Sequence, residues 1–281
     1  MSVDPQPEKP AQSVRSLLPR IAAWARRRPI LAAALVIGSM FLVDTLLLPW
    51  DAIRSLERKN PEITAFQRAY EEHELAAGRR RKIMKRWKPI EQISENLIAA
   101  VIVAEDGSFW NHDGFDWFEV RESLLRNIKE RRAARGASTI TQQLIKNLFL
   151  SPSKNPLRKY HELVLTWYGE RVLSKRRILE LYLNEIEWGN GIYGVEAAAQ
   201  KYFGISAGEL SREQSARLAA VIPNPSRYHP TSGSRAVERR ARIIVERLQA
   251  RNRVQGRVEE PLPETASEEE KAPADTTDER P

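Results

Sequence analysis

The sequence predicts a mainly α-helical protein carried behind a single N-terminal transmembrane helix. Three observations carry that prediction. An uninterrupted apolar stretch stands near the N-terminus, helical periodicity dominates from about residue 87 to residue 253, and the alternating pattern of strands is nearly absent. The 281 residues, 42% of them apolar, suffice for one large domain or two small ones.

The apolar stretch is Pro29 to Trp50, PILAAALVIGSMFLVDTLLLPW, with Asp44 as its one charge. At about 1.5 Å per residue it spans roughly 30 Å of hydrocarbon, and it is apolar on every face, unlike the core helix of a soluble domain. It is longer than the apolar region of most cleavable signals, and no small-residue cleavage site follows it. Lys9, Arg15, Arg20 and the triplet Arg26, Arg27 and Arg28 precede it, whereas the first residues after it are mixed in sign. The positive-inside rule then keeps the N-terminus cytoplasmic and exports everything after residue 50. The expected location is the cytoplasmic (inner) membrane, with a single pass and an extracytoplasmic, periplasmic domain.

The expected organisation is a disordered cytoplasmic tail at 1–28, the span at 29–50, a polar helical connector at 51–86, a folded domain at 87–253 and a disordered acidic tail at 254–281. The connector ends in a basic run, Arg79 to Lys88, read either as a solvated face or as a contact for anionic headgroups. From Gly256 on, nine acidic and three basic residues leave the preceding chain at +14 within a total of +8. That basicity suits a polyanion, whether nucleic acid, an anionic lipid surface or a phosphorylated substrate. There is no cysteine, so the fold needs no disulfide in either compartment.

Four blocks within the domain carry candidate chemistry. The apolar helix SENLIAAVIVA runs into Glu105 and Asp106, followed by Phe109 and His112. Burial and the negative end of the helix dipole would both raise the pKa of Glu105, which suits general acid–base work. Standing alone, such an acidic pair is usually a surface helix end. In GASTITQQLIKNLFL, Ser138 is a candidate N-cap. Thr139, Gln143 and Lys146 fall on one face beside the stripe Ile140, Leu144 and Leu148, and Asn147 follows. In RKYHE, opened by Pro156, Arg158 and Glu162 share a face with Lys159 beside them. They form either an ordinary ion pair or a second active-site carboxylate next to a phosphate-binding cation pair. The apolar residues from Leu163 to Tyr182 read as one long stripe with a basic break at Lys175 to Arg177. The last block, KRRILELYLNEIEWGNGIYGVEAAAQKYFG, reads as helix, glycine-punctuated turn and helix with core aromatics.

Together and in this order, EDGSFWNHDGFD, GASTITQQLIKNLFL, RKYHE and RRILELYLNEIEWGNGIYGVEAAAQKYFG resemble the motifs of the family 51 peptidoglycan glycosyltransferases, over roughly residues 87–230. One departure is Ala137, where the second motif usually has glycine. SPSK at Ser151 to Lys154 matches the first element of a penicillin-binding domain by chance. No KTG accompanies it, and the remaining chain is too short for such a domain, so a monofunctional enzyme is expected.

The resemblance implies a lysozyme-like, two-lobed transferase domain with a membrane-facing smaller lobe. It implies polymerisation of lipid II into β-1,4-linked glycan strands with release of undecaprenyl pyrophosphate, for bacterial cell wall synthesis. Glu105 would be the catalytic base and Glu162 the second catalytic carboxylate. Lys146, Arg158 and Lys159 would neutralise the pyrophosphate, while Asp106, Phe109, His112, Thr139, Gln143 and Asn147 would shape the substrate cleft. The implied cofactor is a divalent cation, magnesium or manganese, at the pyrophosphate. The implied partners are lipid II, the growing glycan strand, the membrane and other cell-wall synthesis proteins, with no nucleic acid. Two rivals share parts of this pattern: a lysozyme-like lytic enzyme that cuts finished peptidoglycan, and a non-catalytic membrane adaptor. The cation trio and the span speak against the first, and the two intact carboxylates against the second.

Overall fold

A computed structural model of the chain describes residues 17–130, 137–152 and 155–259. The expected disorder of residues 1–16 and of the tail beyond 259, like Ser153 and Lys154 of the SPSK match, lies outside the described residues.

The helices begin with α1 (Leu17–Arg27), within the stretch expected to be a disordered tail, and α2 (Pro29–Leu46), which has no buried residue. By length and composition α2 and its continuation can cross a membrane. Next come α3 (Trp50–Ser55), α4 (Ala65–Ala76) and the short strand β1 (Met84–Lys85). The segment 51–86 is not a free-standing connector. Ile53 and Leu56 are buried, and Thr64 and Gln67 are buried in a capping box that starts α4. Part of the basic run serves the fold, although Arg79 to Lys82 and Arg86 are exposed. Arg79 donates to the buried Glu74 at 2.8 Å and holds that carboxyl down to about 2, with Arg81 adding to the effect. Lys85 reaches the buried Glu185 at 2.6 Å, where Gln67 also donates. Burial pushes the Glu185 carboxyl up, and Lys85 opposes it.

The remaining elements are α5 (Glu95–Glu105), α6 (Trp117–Glu130), α7 (Ile140–Phe149), α8 (Pro156–Val172), α9 (Lys175–Glu185), β2 (Glu187–Gly189), β3 (Ile192–Tyr193), α10 (Val195–Phe203), α11 (Arg212–Val221) and α12 (Arg235–Glu259). α12 continues past the expected domain end at residue 253. Caps set several starts. Thr139, not Ser138, caps α7 in a box with Gln142, Asn155 precedes Pro156 at α8, and Ser174 caps α9. That last cap divides the expected long stripe into two helices, and Leu163 and Trp167 are 40% and 48% exposed rather than core.

α5 packs against α11 and α12, and α7 packs against α8 and α9. The larger hydrophobic core includes Leu97, Val101, Leu144, Ile178, Tyr182 and Trp188. A smaller one joins Ile53, Ile145, Leu150 and Leu165 beside the end of α2. The three strands form one small sheet in the order β1, β3, β2, with β1 parallel and β2 antiparallel to β3.

Gly194 closes this sheet onto α10. Its φ is +80°, and a Cβ there would lie 2.9 Å from the Asn184 carbonyl oxygen and 3.1 Å from that of Arg86. Both neighbours are backbone and cannot swing aside. Gly194→Ala is expected to cost at least about 1–3 kcal/mol. A thermal melt of the purified protein should show a midpoint several degrees below wild type.

Candidate active site

Glu105 is the last residue of α5, where the chain turns away from an apolar helix. Its side chain is only 9% exposed, at the wall of a cavity of about 600 Å³. One carboxylate oxygen accepts from Gln143 Nε2 at 3.0 Å and the other from Arg240 Nη2 at 2.8 Å. The Gln143 amide is itself oriented, because Tyr182 donates its hydroxyl to Gln143 Oε1 at 2.9 Å. Tyr182 remains a donor. Full burial pushes its pKa well above the ordinary phenol range, and the nearby carboxylates of Glu105 and Asp106 add to that. Three helices (α7, α9 and α12) thus converge to fix one carboxylate.

Arg240 was absent from the sequence expectations; its guanidinium is a charge-assisted donor to the Glu105 carboxylate.

Asp106 is buried and ties elements together. One oxygen accepts from the Ile140 N–H at the start of α7, at 2.9 Å, and the other meets His112 Nε2 at 2.9 Å. His112 Nδ1 accepts from the Gly114 N–H, so Nε2 carries the proton and donates to Asp106. Thr139 borders the cavity, but its hydroxyl donates to the Gly114 carbonyl at 2.8 Å and caps α7. Phe109 is fully buried, with the Lys175 ammonium 4.6 Å from its ring centre. Asn147 donates back to the Gln143 carbonyl at 2.8 Å. Of the six residues expected to shape the cleft, Asp106, Thr139 and Gln143 stand in its wall. Phe109 and His112 instead support it from beneath, their polar and ring surfaces being engaged within the fold.

A second group lies beside the first. Glu162 is buried on α8, accepting from Arg158 at 3.1 Å and from Lys159. Lys146, one turn along α7 from Gln143, stands in the field of both groups. Burial lowers its pKa first, Arg158 and Lys159 add to that, and Glu162 and Glu105 oppose it. Arg158 Nε is buried and finds no acceptor among the described residues. Arg158 and Lys159 contact Glu162 with Lys146 in their field, and none of the four lines the cavity at Glu105.

A sequence profile of the transglycosylase family matches residues 71–249. The chain belongs to the transglycosylase family. Relatives named biosynthetic peptidoglycan transglycosylase include one from Nitrosospira multiformis, 41% identical over 225 residues, which cover 80% of this chain and 95% of the relative. Another, from Methylobacillus flagellatus, is 43% identical over 219 residues, 78% of this chain and 93% of the relative. A third, from Thiobacillus denitrificans, is 49% identical over 185 residues, 66% and 80% of the two chains. The mainly helical transglycosylase domain, with one larger and one smaller core, agrees with the lysozyme-like architecture expected of it.

The divalent ion expected at this transglycosylase's pyrophosphate meets a poor set of ligands. Both Glu162 oxygens face cations, and Lys146 adds a third positive charge nearby. Asp106, His112 and Asp116 are close enough together to suggest another ion site. There, however, both His112 nitrogens are committed to Asp106 and Gly114. The cation cluster suits an anionic phosphate ligand; neither group suits a divalent ion.

Proposed function

We infer that this chain is a peptidoglycan glycosyltransferase that polymerises lipid II into glycan strands. The observation that carries the mechanism is a buried carboxylate at a cavity wall, fixed from two sides, with Lys146 one helical turn along α7 from the Gln143 that holds it. Glu105 takes the proton from the 4-hydroxyl of the acceptor sugar as its oxygen attacks the anomeric carbon of the growing chain. The bond from that carbon to phosphate breaks, and the pyrophosphate leaves with the electron pair. Attack opposite the leaving group turns an α-linked donor into a β-1,4 bond. Lys146, Arg158 and Lys159 stabilise the charge that develops on the departing pyrophosphate. Glu162 holds Arg158 and Lys159 in place. Given lipid II, the purified protein should lengthen glycan; given finished peptidoglycan, it should leave the strands uncut. Cleavage of finished strands without polymer formation would favour the lytic alternative.

Arg240 acts by positioning Glu105. Arg240→Ala is expected to lower kcat about tenfold, about 1.4 kcal/mol, with little change in KM. Steady-state kinetics on lipid II checks this, and an unchanged kcat would remove Arg240 from the mechanism.

The arginine-rich flank before α2 supports a cytoplasmic N-terminus and an extracytoplasmic catalytic domain. A reporter active only outside the cytoplasm, fused after residue 259, should be active. Activity of a cytoplasmic reporter at the same position would reverse the topology.

A further inference from the structure

We propose that Asp44 and His161 are positioning residues that couple the membrane span to the catalytic helix α8. This rests on the reading of α2 as a span and of α8 as the carrier of the pyrophosphate cations. A helix that served only as a tether would present lipid with an unbroken apolar surface. Here it carries one carboxylate, which hydrocarbon penalises unless it has a partner. The partner is His161 on α8, whose Nε2 lies 2.6 Å from Asp44 Oδ2. The contact extends along both helices. The Tyr160 hydroxyl bonds to Thr45 Oγ1, which donates to the Phe41 carbonyl, and the Tyr160 ring meets Phe41 edge-on at 5.1 Å. Two turns further along α8, Tyr168 meets Trp50 edge-on at 4.9 Å, and the Trp50 indole N–H donates to the Thr45 carbonyl.

Another face of α8 is pressed against α7. Glu162, Thr166 and Gly169 are buried there, and at Gly169 a Cβ would already stand 3.4 Å from Ile145. Clamped between span and α7, α8 has one rotational setting. That setting decides where Arg158, Lys159 and Glu162 stand relative to Lys146. His161 is the residue immediately before Glu162, so a lost contact with the span is transmitted directly to the cation cluster.

The experiment uses the full chain in vesicles containing lipid II. Asp44→Leu and His161→Leu should each stay inserted and folded. Each should lower kcat about tenfold, with KM within about twofold of wild type, because a small displacement of a charge-stabilising group costs rate rather than binding. The double variant should be no slower than either single one, since both remove the same coupling. Wild-type turnover in both single variants, or additive losses in the double variant, would overturn the proposal. Glu105→Gln run alongside separates the two readings. If it is active, the catalytic assignment fails; if it is dead while Asp44→Leu and His161→Leu are unaffected, only the coupling fails.

Discussion

Glu105→Gln is expected to lower the rate of lipid II polymerisation by at least about 10²-fold, the lower reach of general-base catalysis. The substitution keeps the size and planarity of the side chain but removes the carboxylate that Gln143 and Arg240 hold at the cavity wall. Binding of lipid II should be largely preserved, because the cations proposed to receive its pyrophosphate lie in a separate group on α7 and α8. Rapid-quench turnover and an equilibrium binding measurement on the same preparation separate the two effects. Retention of half the wild-type turnover would end the assignment of Glu105 as base.

Lys146→Ala is expected to cost about 2–4 kcal/mol of transition-state stabilisation, the range for one preorganised electrostatic donor. The position is already primed. Burial lowers the Lys146 pKa, and Arg158 and Lys159 add to that against the opposing carboxylates of Glu162 and Glu105, so an arriving anion meets a desolvated ammonium. A pyrophosphate favours the charged form again, most strongly as its charge grows during bond breaking. Arg158→Ala should fall in the same range, with the added penalty of leaving Glu162 buried with one cation fewer. Comparison of kcat/KM values checks both, and a neutral Lys146→Ala would move the pyrophosphate elsewhere. Arg79 is the contrasting cation. Its loss removes a partner of the buried Glu74 rather than a membrane contact, so the effect should appear in stability and not in turnover.

Much of this site was legible because it is built from local helical patterns. The apolar run ending in Glu105, the face shared by Thr139, Gln143 and Lys146, and the start of α8 at Pro156 each lie within one element, where spacing dictates facing. The helix α2, long and apolar enough to cross a membrane, was legible from length and composition alone. What escaped depended on contacts distant in sequence. Arg240 lies 135 positions from Glu105, in a stretch, RRARIIVERL, that reads as an arginine-rich surface. A signal was present nonetheless. Val237, Ala241, Ile244 and Leu248 form the buried stripe of α12, and Arg240 sits among them at helical spacing. A charge on an apolar face requires a partner.

Other differences have similar causes. The strands are two or three residues long, too short for alternation to register, so β1 and the role of residues 51–86 in the fold were missed. The basic run looked uniform, and only the fold distinguishes Arg79 and Lys85, each facing a buried glutamate, from their neighbours. Asp44 was visible as a charge within an apolar stretch, but its partner on α8 lies 117 positions away. Phe109 and His112 belong to the same motif as Glu105, yet motif membership does not separate a residue that touches substrate from one that holds the loop. Burial and satisfied hydrogen bonds do.

The most direct test of the whole account is stoichiometric. The purified full chain, in vesicles containing lipid II, should release one undecaprenyl pyrophosphate for every disaccharide joined, and the product should be a β-1,4-linked strand that lysozyme digests. Pyrophosphate-lipid release without glycan growth, or no turnover of lipid II by folded and inserted protein, would contradict it.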